Sequence, residues 1–344
     1  MRAIAYDAFG GPLDVRDLPE PAPPDGGAVI RVAASGLCRS DWHAWAHGDD
    51  MVSLPHVPGH EFVGTIEAVG TGVERWRAGE RVTAPFVCGC GTCEWCIGGN
   101  AQVCPNQTQP GFTHHGSHAE FVVIHAADAN LVSVPAGLDD DAAASLGCRF
   151  ATAFRALDAR ARVRADEWVA VFGAGGVGLS AVMIARALGA RVVAVDRSPD
   201  ALDLARSLGA EHTLLASPTT AEEIAALTAG GAHASVDAVG SAETSTSAVL
   251  SLRRRGRHVQ VGLLAADEMP RLPLDRVIGW ELDVLGSHGM AARDYDRMLA
   301  LVTSGALRPQ DLVAGSVGLE EGALLLPLTA SIPPTGIRVV HPTE

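Results

Sequence analysis

The chain has 344 residues and a formal net charge of −14, so its length predicts two domains that each bury a core. The acidic balance argues against nucleic-acid and anionic membrane partners, and no apolar run approaches the roughly 20 residues of a membrane span. All 26 basic residues are arginine, which excludes mechanisms that need a lysine amine. The first residues lack a signal-peptide pattern, so we expect a cytoplasmic protein whose seven cysteines are ligands rather than disulfides.

Residues 1 to about 35 predict short strands separated by glycine and proline turns, which is typical of antiparallel β-structure. A strand over 28–34 leads to Cys38, and His60 follows 22 residues later, just before a strand over 65–70. Either residue alone is more often an ordinary buried side chain, but together they are ligand types that zinc prefers. Their polar neighbours are suited to orient ligands and to move a proton: Ser40, Asp41, His43 and Glu61.

Four cysteines lie within fifteen residues of a glycine-rich loop, at the spacing C-x2-C-x2-C-x7-C: Cys90, Cys93, Cys96 and Cys104. Four thiolates at this spacing predict a closed, tetrahedral, structural zinc site. Disulfides and an iron–sulfur cluster are the alternatives; the expected compartment disfavours the first, and nothing else in the sequence suggests one-electron chemistry. We interpret Cys88 as a bystander. The histidine-rich stretch 111–118 has the composition of a metal-binding tract, but we favour a polar turn before a strand over 119–124.

A helix is expected to begin near residue 139 and to lead to Cys148, and a second helix over 151–157 enters an α/β region. Strands are predicted there at 168–172, 191–195, 212–215, 235–239, 257–262 and 282–286, with helical patterns between them. Six parallel strands with crossover helices form a doubly wound sheet. A helix over 292–304 and a strand over 335–340 follow, and we expect this tail to fold back onto the first domain.

The first of these strands runs into the turn Gly173-Ala174-Gly175-Gly176-Val177-Gly178, which opens a helix, and the next strand ends at Asp196. This order, with the acid 23 residues after the first glycine, is the full dinucleotide-binding pattern. Gly173 permits the turn, Gly175 admits a pyrophosphate, and Gly178 lets the helix pack closely, while free N–H groups at the helix start bind the phosphates. Asp196 favours NAD over NADP because it repels a 2′-phosphate, a preference that the adjacent Arg197 softens.

These features together resemble the zinc-dependent medium-chain alcohol dehydrogenases over essentially the whole chain. The match consists of Gly59-His60-Glu61 followed by Gly64, Gly70 and Val73, the block 38–43, the four-cysteine loop, and Cys148 lying 25 residues before the glycine turn. The resemblance implies an α/β fold, with a doubly wound parallel six-stranded Rossmann sheet and a mostly β, GroES-like catalytic domain. Residues 1–148 and 288–344 would form the catalytic domain, and 149–287 the NAD-binding domain.

The resemblance also implies NAD and two zinc ions per subunit, one catalytic and one structural. Cys38, His60 and Cys148 would hold the catalytic zinc, with Glu61 as a possible transient ligand. Asp41 would orient His60, and Ser40 and His43 would relay a proton to solvent. Further cofactor contacts are implied for Arg39, Thr152 and Arg338, and a substrate pocket lined by Ser40, Trp45 and Phe86. Arg149 departs from the family, in which small or apolar residues are common at that position.

The expected reaction is reversible hydride transfer between NAD and an alcohol, with an aldehyde or ketone as its product. A zinc polyol or sugar dehydrogenase on the same fold is one alternative, and Cys148 disfavours it because a carboxylate is the usual third ligand there. A zinc-free quinone or enoyl reductase would lack the cysteine loop. A non-catalytic NAD-sensing protein would not need the Ser40–His43 relay. A homotetramer, or a homodimer paired through the strand near residues 282–285, is a further expectation from the family.

Overall fold

The computed structural model describes residues 1–264, 269–329, 331 and 336–343. The strands are β1 (Arg2–Ala5), β2 (Asp14–Asp17), β3 (Ala28–Leu37), β4 (Phe62–Val69), β5 (Arg81–Thr83), β6 (Phe121–Ile124), β7 (Val132–Ser133), β8 (Trp168–Phe172), β9 (Arg191–Asp196), β10 (His212–Leu215), β11 (Ala232–Asp237), β12 (Leu252–Gln260), β13 (Asp283–Gly286), β14 (Val313–Gly318) and β15 (Ile337–His341). The helices are α1 (Arg39–His47), α2 (Glu94–Ile97), α3 (Ala127–Asn130), α4 (Asp140–Ala144), α5 (Ala151–Arg155), α6 (Gly176–Ala187), α7 (Pro199–Ser207), α8 (Thr220–Leu227), α9 (Ala242–Leu250), α10 (Leu274–Trp280), α11 (Tyr295–Thr303) and α12 (Leu319–Leu325).

Six parallel strands form the first large sheet, in the order β10-β9-β8-β11-β12-β13. All five residues of β8 are buried, as a central strand covered by helices on both faces requires. The predicted strand positions are confirmed with two shifts: β11 begins at Ala232, and β12 begins at Leu252. The start of β12 escaped prediction because three consecutive arginines, 253–255, interrupt its apolar pattern.

A seven-stranded sheet is built in the order β14-β15-β3-β4-β5-β7, with β6 also paired to β3. Its pairs are antiparallel except β14 with β15, and β15 places Arg338 opposite Leu37. The tail therefore folds back onto the N-terminal, seven-stranded sheet, as predicted, beside the strand that leads to Cys38. Thr335, within its predicted strand, lies outside the described residues. The predicted α/β fold class is confirmed. The domain boundaries after residues 148 and 287 remain a proposal.

One buried core joins the two sheets. It includes Ala34 and Val63 of the seven-stranded mixed sheet and Val169 of the parallel sheet. Phe150 and Leu157 join it from residues 140–160, which are called the connecting segment below. This segment is helical throughout, but two π-helical turns, at 146–150 and 156–160, flank α5, so the predicted helix over 151–157 is not uniform. Among the described residues, no helix has the length and apolar character needed to cross a membrane.

Candidate metal and cofactor site

A cluster of metal-binding side chains lies where β3, the start of β4 and the connecting segment meet. Cys38 caps the start of α1, His60 and Glu61 directly precede β4, and Cys148 lies in the first π-helical turn. One ligand atom from each of these four residues lies within 4.8 Å of all the others. The structure thus brings together the three predicted zinc ligands and the predicted neighbouring carboxylate.

The orientation of His60 is fixed by Asp41. The ring Nδ1–H of His60 donates to Asp41 Oδ1 at 2.8 Å, and both side chains are completely buried. Asp41 also accepts backbone N–H bonds from Gly59 and Cys38. Nε2 of His60 is buried without a hydrogen-bond partner among the described residues, an arrangement that fits a metal ligand and is costly otherwise.

His118 is a neighbour of this cluster that sequence reasoning missed. Its Nε2 lies 3.8 Å from Asp41 Oδ2, and its Nδ1 is hydrogen-bonded to Ser35 Oγ at 2.9 Å. Although burial raises the pKa of Asp41, His60 and His118 together hold it well below its ordinary value. Among the described residues, the two clusters of metal-binding side chains include no histidine from this stretch, so it is not a metal-binding tract there. His118 instead lies beside Asp41, the residue that orients His60.

The thiol of Cys38 has a pKa far below its ordinary value. Hydrogen bonding with Cys148 is the largest cause, and the positive charges of Arg149 and His60 act in the same direction. A thiolate is the form that binds a metal ion. The donor set of two cysteine sulfurs and one imidazole nitrogen, with one sulfur already biased toward its anion, therefore fits a zinc ion.

Glu61 is paired with Arg149, whose role the sequence did not reveal. The fully buried carboxylate accepts the backbone N–H of Arg149 at 2.8 Å, its Nε at 2.9 and 3.0 Å, and its Nη2. Burial raises the pKa of Glu61, and the Arg149 guanidinium opposes that shift. Arg338, by contrast, is exposed on β15, with its Nη1 beside Gly315.

The glycine turn connects β8 to α6 with little room for side chains. Gly173 adopts a positive φ of 91°, and a Cβ on Gly178 would stand 1.7 Å from the carbonyl oxygen of Gly173. Gly175 differs, because no atom lies within 4 Å of where its Cβ would be. The open side of the turn is therefore at Gly175, and α6 begins directly after it.

Asp196 lies at the end of β9, beside this turn. Its Oδ2 accepts the N–H of Ala174 at 2.6 Å, and its Oδ1 accepts the N–H of Ser198 at 2.9 Å. Arg197 is exposed, Val177 is half-buried in the first turn of α6, and Thr152 is buried on α5. The turn and its acid thus have the arrangement that a dinucleotide requires: free N–H groups at a helix start and a carboxylate for the ribose.

The four-cysteine loop forms a separate cluster of sulfurs. Cys93 Sγ lies 3.5 Å from Cys96 Sγ and 3.6 Å from Cys104 Sγ, and Cys90 Sγ lies 4.0 Å from Cys96 Sγ. A tetrahedral zinc with bonds of roughly 2.3 Å separates its sulfurs by about 3.8 Å, whereas disulfide sulfurs lie about 2.05 Å apart. Cys88 is buried away from the cluster, where burial raises its pKa to about 12.

Two family models match this chain: an alcohol dehydrogenase GroES-like domain over residues 24–136 and a zinc-binding dehydrogenase domain over residues 176–304. An alcohol dehydrogenase of Geobacillus stearothermophilus is 35% identical over 311 residues, which cover 90% of each chain. The chain belongs to the zinc-dependent medium-chain alcohol dehydrogenase family. It is an oxidoreductase that acts on alcohols and uses zinc and NAD.

Solved structures of alcohol dehydrogenases share the whole fold. An NAD-dependent alcohol dehydrogenase is 32% identical, with a TM-score of 0.89 and coverage of 99% of this chain and 100% of that one. The alcohol dehydrogenase TADH from Thermus sp. ATN1 is 31% identical, with a TM-score of 0.90 and coverage of 99% of both chains. The agreement spans both sheets, so the metal-type cluster and the glycine turn belong to one alcohol dehydrogenase fold.

Of the three residues predicted to line the substrate pocket, two lie beside the metal-type cluster and one lies elsewhere. Phe86 packs with Cys38 and Cys148, and its ring centroid lies 5.9 Å from that of His60. Ser40 Oγ lies 3.8 Å from Cys38 Sγ. Trp45 instead donates its indole N–H to Gly11 at 2.9 Å and packs in another apolar cluster.

Two polar residues of α1 face outward. His43 and Arg39 are both exposed. Desolvation lowers the pKa of His43, and the positive charges of Arg39 and His47 add to this shift. A neutral imidazole can accept a proton, so His43 is suited to the relay predicted for it, which remains a proposal.

The glycine turn generates a test that separates cofactor binding from folding. In Gly175→Ala the new methyl group meets no protein atom, so we expect an unchanged melting temperature. It would occupy the side that a pyrophosphate approaches, so we expect at least about tenfold weaker NADH binding by fluorescence titration.

Gly279→Ala is the matched control, because a Cβ at this position in α10 also meets nothing within 4 Å. It should leave both measurements at the values of the wild-type protein. Tight NADH binding by the folded Gly175→Ala variant would contradict the placement of the pyrophosphate at this turn.

Proposed function

We propose that this chain transfers a hydride between alcohols and NAD at the junction of the two sheets, with zinc held by Cys38, His60 and Cys148. The observation that supports this most directly is the buried, unpartnered Nε2 of His60 beside two thiols. Arg149, next to Cys148, extends from this cluster to Gly176 at the start of α6. A metal-held substrate and a bound dinucleotide would therefore be neighbours.

A zinc ion bound there supplies Lewis acidity, which stabilises negative charge on a substrate oxygen. The chain's own residues orient the ligands and move the proton. Asp41 holds the ring of His60 with Nε2 toward the thiols. The Ser40 hydroxyl, beside Cys38, accepts the proton of the alcohol as it releases its own proton toward solvent. The imidazole of His43, whose pKa is lowered by partial burial, accepts the relayed proton and releases it to solvent. Phe86 excludes water from the wall beside Cys148.

We further propose NAD, rather than NADP, as the preferred cofactor. Asp196 is the charged group at the end of β9, and its carboxylate is held by two backbone N–H groups. A 2′-phosphate placed there would meet this negative charge, whereas ribose hydroxyls would donate to it. Arg39, Thr152, Arg197 and Arg338 are proposed as further cofactor contacts, with Gly176 and Val177 at the phosphates.

A second zinc in the four-cysteine loop is proposed as structural, which gives two ions per subunit. All four ligands there are cysteines, so a zinc ion would have no open position for substrate. Trp95, Ile97 and Val103 of this loop have exposed side chains, and the short helix α2 includes the third cysteine. The loop thus has few apolar contacts of its own, and metal bonds would supply its order.

The pairing of Glu61 favours an alcohol dehydrogenase over a polyol-type site. A polyol-type site would use a carboxylate as its third protein ligand. Here the Glu61 carboxylate is bound by the backbone and guanidinium of Arg149, while Cys148 offers its sulfur to the cluster. Transient binding of Glu61 to the metal would require this ion pair to open.

Association into a homodimer or homotetramer is also proposed. Strand β13 is the edge of the parallel sheet, and its residues are exposed or half-buried, with Val284 41% exposed. An exposed edge strand presents unpaired backbone groups that a second copy can satisfy. The small-molecule alcohol, aldehyde or ketone would then be bound within each subunit.

The catalytic ligand set is tested by Cys38→Ser and His60→Ala. Several kcal/mol of charge stabilisation is lost with the metal, so we expect turnover of a primary alcohol with NAD to fall at least about a hundredfold. Zinc content should fall from two ions per subunit to one, while NADH still binds because the glycine turn is untouched.

Cys88→Ser is the control, because Cys88 is also buried but its thiol donates to the carbonyl of Pro85 at 3.3 Å and belongs to neither cluster of metal-binding side chains among the described residues. It should retain both metal ions and turnover. Full activity of either ligand variant would refute the zinc assignment.

The four-cysteine loop is tested by Cys96→Ser. We expect loss of one zinc per subunit and a melting temperature lower by at least about 5 °C, while the kcat/KM of the folded fraction changes little. Ile97→Ser, at a 72% exposed position of the same loop, is the control and should keep native melting. Native melting and full zinc content of the Cys96 variant would refute the structural-zinc role assigned to Cys96.

A further inference from the structure

Arg149 lies in a narrow slot between the metal-type cluster and the cofactor helix. Its side chain is only 9% exposed, and it is flanked by two glycines. A Cβ on Gly36 would stand 2.9 Å from its Nη2, and a Cβ on Gly176 would stand 2.5 Å from its Cδ. A Cβ on Gly36 would also stand 2.6 Å from Oε2 of Glu61, so the two glycines leave room for the ion pair of Arg149 with Glu61.

The donors of Arg149 are divided between two directions. The backbone N–H, Nε and Nη2 all donate to Glu61. Nη1 donates to no residue in the part of the chain that the structure describes, and it lies 3.4 Å from the position of a Cβ on Gly176. Gly176 is the first residue of α6, where the backbone N–H groups are free. One nitrogen of a buried guanidinium therefore remains available at the start of the cofactor helix.

We propose that Nη1 of Arg149 binds the pyrophosphate of the dinucleotide while Nε and Nη2 hold Glu61. This inference rests on the proposed function, because it requires a dinucleotide at the glycine turn. Arg149 then joins the carboxylate beside the metal ligands to the cofactor phosphates, because one guanidinium donates to both. Guanidinium N–H groups form strong, directional bonds to phosphate oxygens, especially where water is excluded.

The placement of Arg338 strengthens this assignment. The family resemblance implies a pyrophosphate contact at Arg338, yet its side chain is exposed and its Nη1 lies 3.0 Å from where a Cβ on Gly315 would stand. Arg149 is the guanidinium that packs against the start of α6. We therefore expect Arg149 to make the larger contribution to phosphate affinity.

The test measures the affinity of adenosine and of ADP-ribose by calorimetry, because only ADP-ribose has a pyrophosphate. In Arg149→Gln we expect at least about tenfold weaker ADP-ribose binding and less than about twofold change for adenosine. Arg149→Lys should lose a similar factor, since an ammonium has its donors on one nitrogen and lacks the fixed fork that separates the bonds to Glu61 from the bond to a phosphate.

A double variant guards against a folding defect. Arg149→Gln alone leaves Glu61 buried without its cation, which destabilises the protein. Glu61→Gln with Arg149→Gln removes both charges, so its melting temperature should recover toward that of the wild type while ADP-ribose binding stays weak.

The control is Arg257→Gln, which breaks a half-buried pair with Glu167 at the opposite end of the parallel strands. It should change neither affinity. Unchanged ADP-ribose affinity in the folded double variant, or an equal loss for adenosine and ADP-ribose, would overturn the role of Arg149. Failure of the wild-type protein to bind ADP-ribose would overturn the dinucleotide site itself, and this inference with it.

Discussion

The structure depends on the pairing of charges that are buried where the two sheets meet. His60, Glu61 and Asp41 have at most 1% exposure, and Arg149 is nearly as buried. Asp41 accepts hydrogen bonds from His60 and from two backbone N–H groups, with His118 at 3.8 Å, and Glu61 accepts hydrogen bonds from Arg149. Removing one partner of such a pair costs roughly 3–5 kcal/mol, so these contacts hold α1, the start of β4 and the connecting segment in one arrangement.

This arrangement sets the distance between the metal ligands and the cofactor turn. Cys148 belongs to the ligand cluster, and the next residue, Arg149, contacts the first residue of α6. The segment then continues into α5, which packs against α6 in the core. Two consecutive residues thus join the two halves of the site, which limits their relative movement. Hydride transfer requires donor and acceptor carbons to be held close, and a short covalent connection is an effective means to do so.

Features that depend on local sequence were predictable. The glycine turn, the acid at the end of β9 and the four-cysteine loop each lie within a short stretch, where spacing reflects backbone geometry directly. Cys38 and His60 could be paired from their residue types. Cys148 could be added only through the family pattern, because nothing in its own neighbourhood marks it as a ligand.

Contacts between distant residues were not predictable in the same way. Arg149 and Glu61 are 88 residues apart, and Ser35 and His118 are 83 apart. Hydrophobic periodicity identifies strands and helices, but the register between strands and the packing of the connecting segment decide which polar side chains meet. His118 was interpreted with a polar turn because its partner Asp41 is close only after β3 and the loop before β6 have come together.

The chemistry of Arg149 shows why its residue type matters at this junction. A planar guanidinium has five N–H donors in a fixed fork, so one face can hold a carboxylate while another nitrogen remains free. The need for arginine at this position cannot be inferred from composition, because the chain contains no lysine and all 26 of its basic residues are arginine. The two flanking glycines reveal it instead: Gly36 leaves space for the Glu61 carboxylate and the guanidinium that binds it, and Gly176, on a different element, leaves space for the arginine stem. Room left on both sides of one ion pair indicates that the position and orientation of this cation are part of how the site is built.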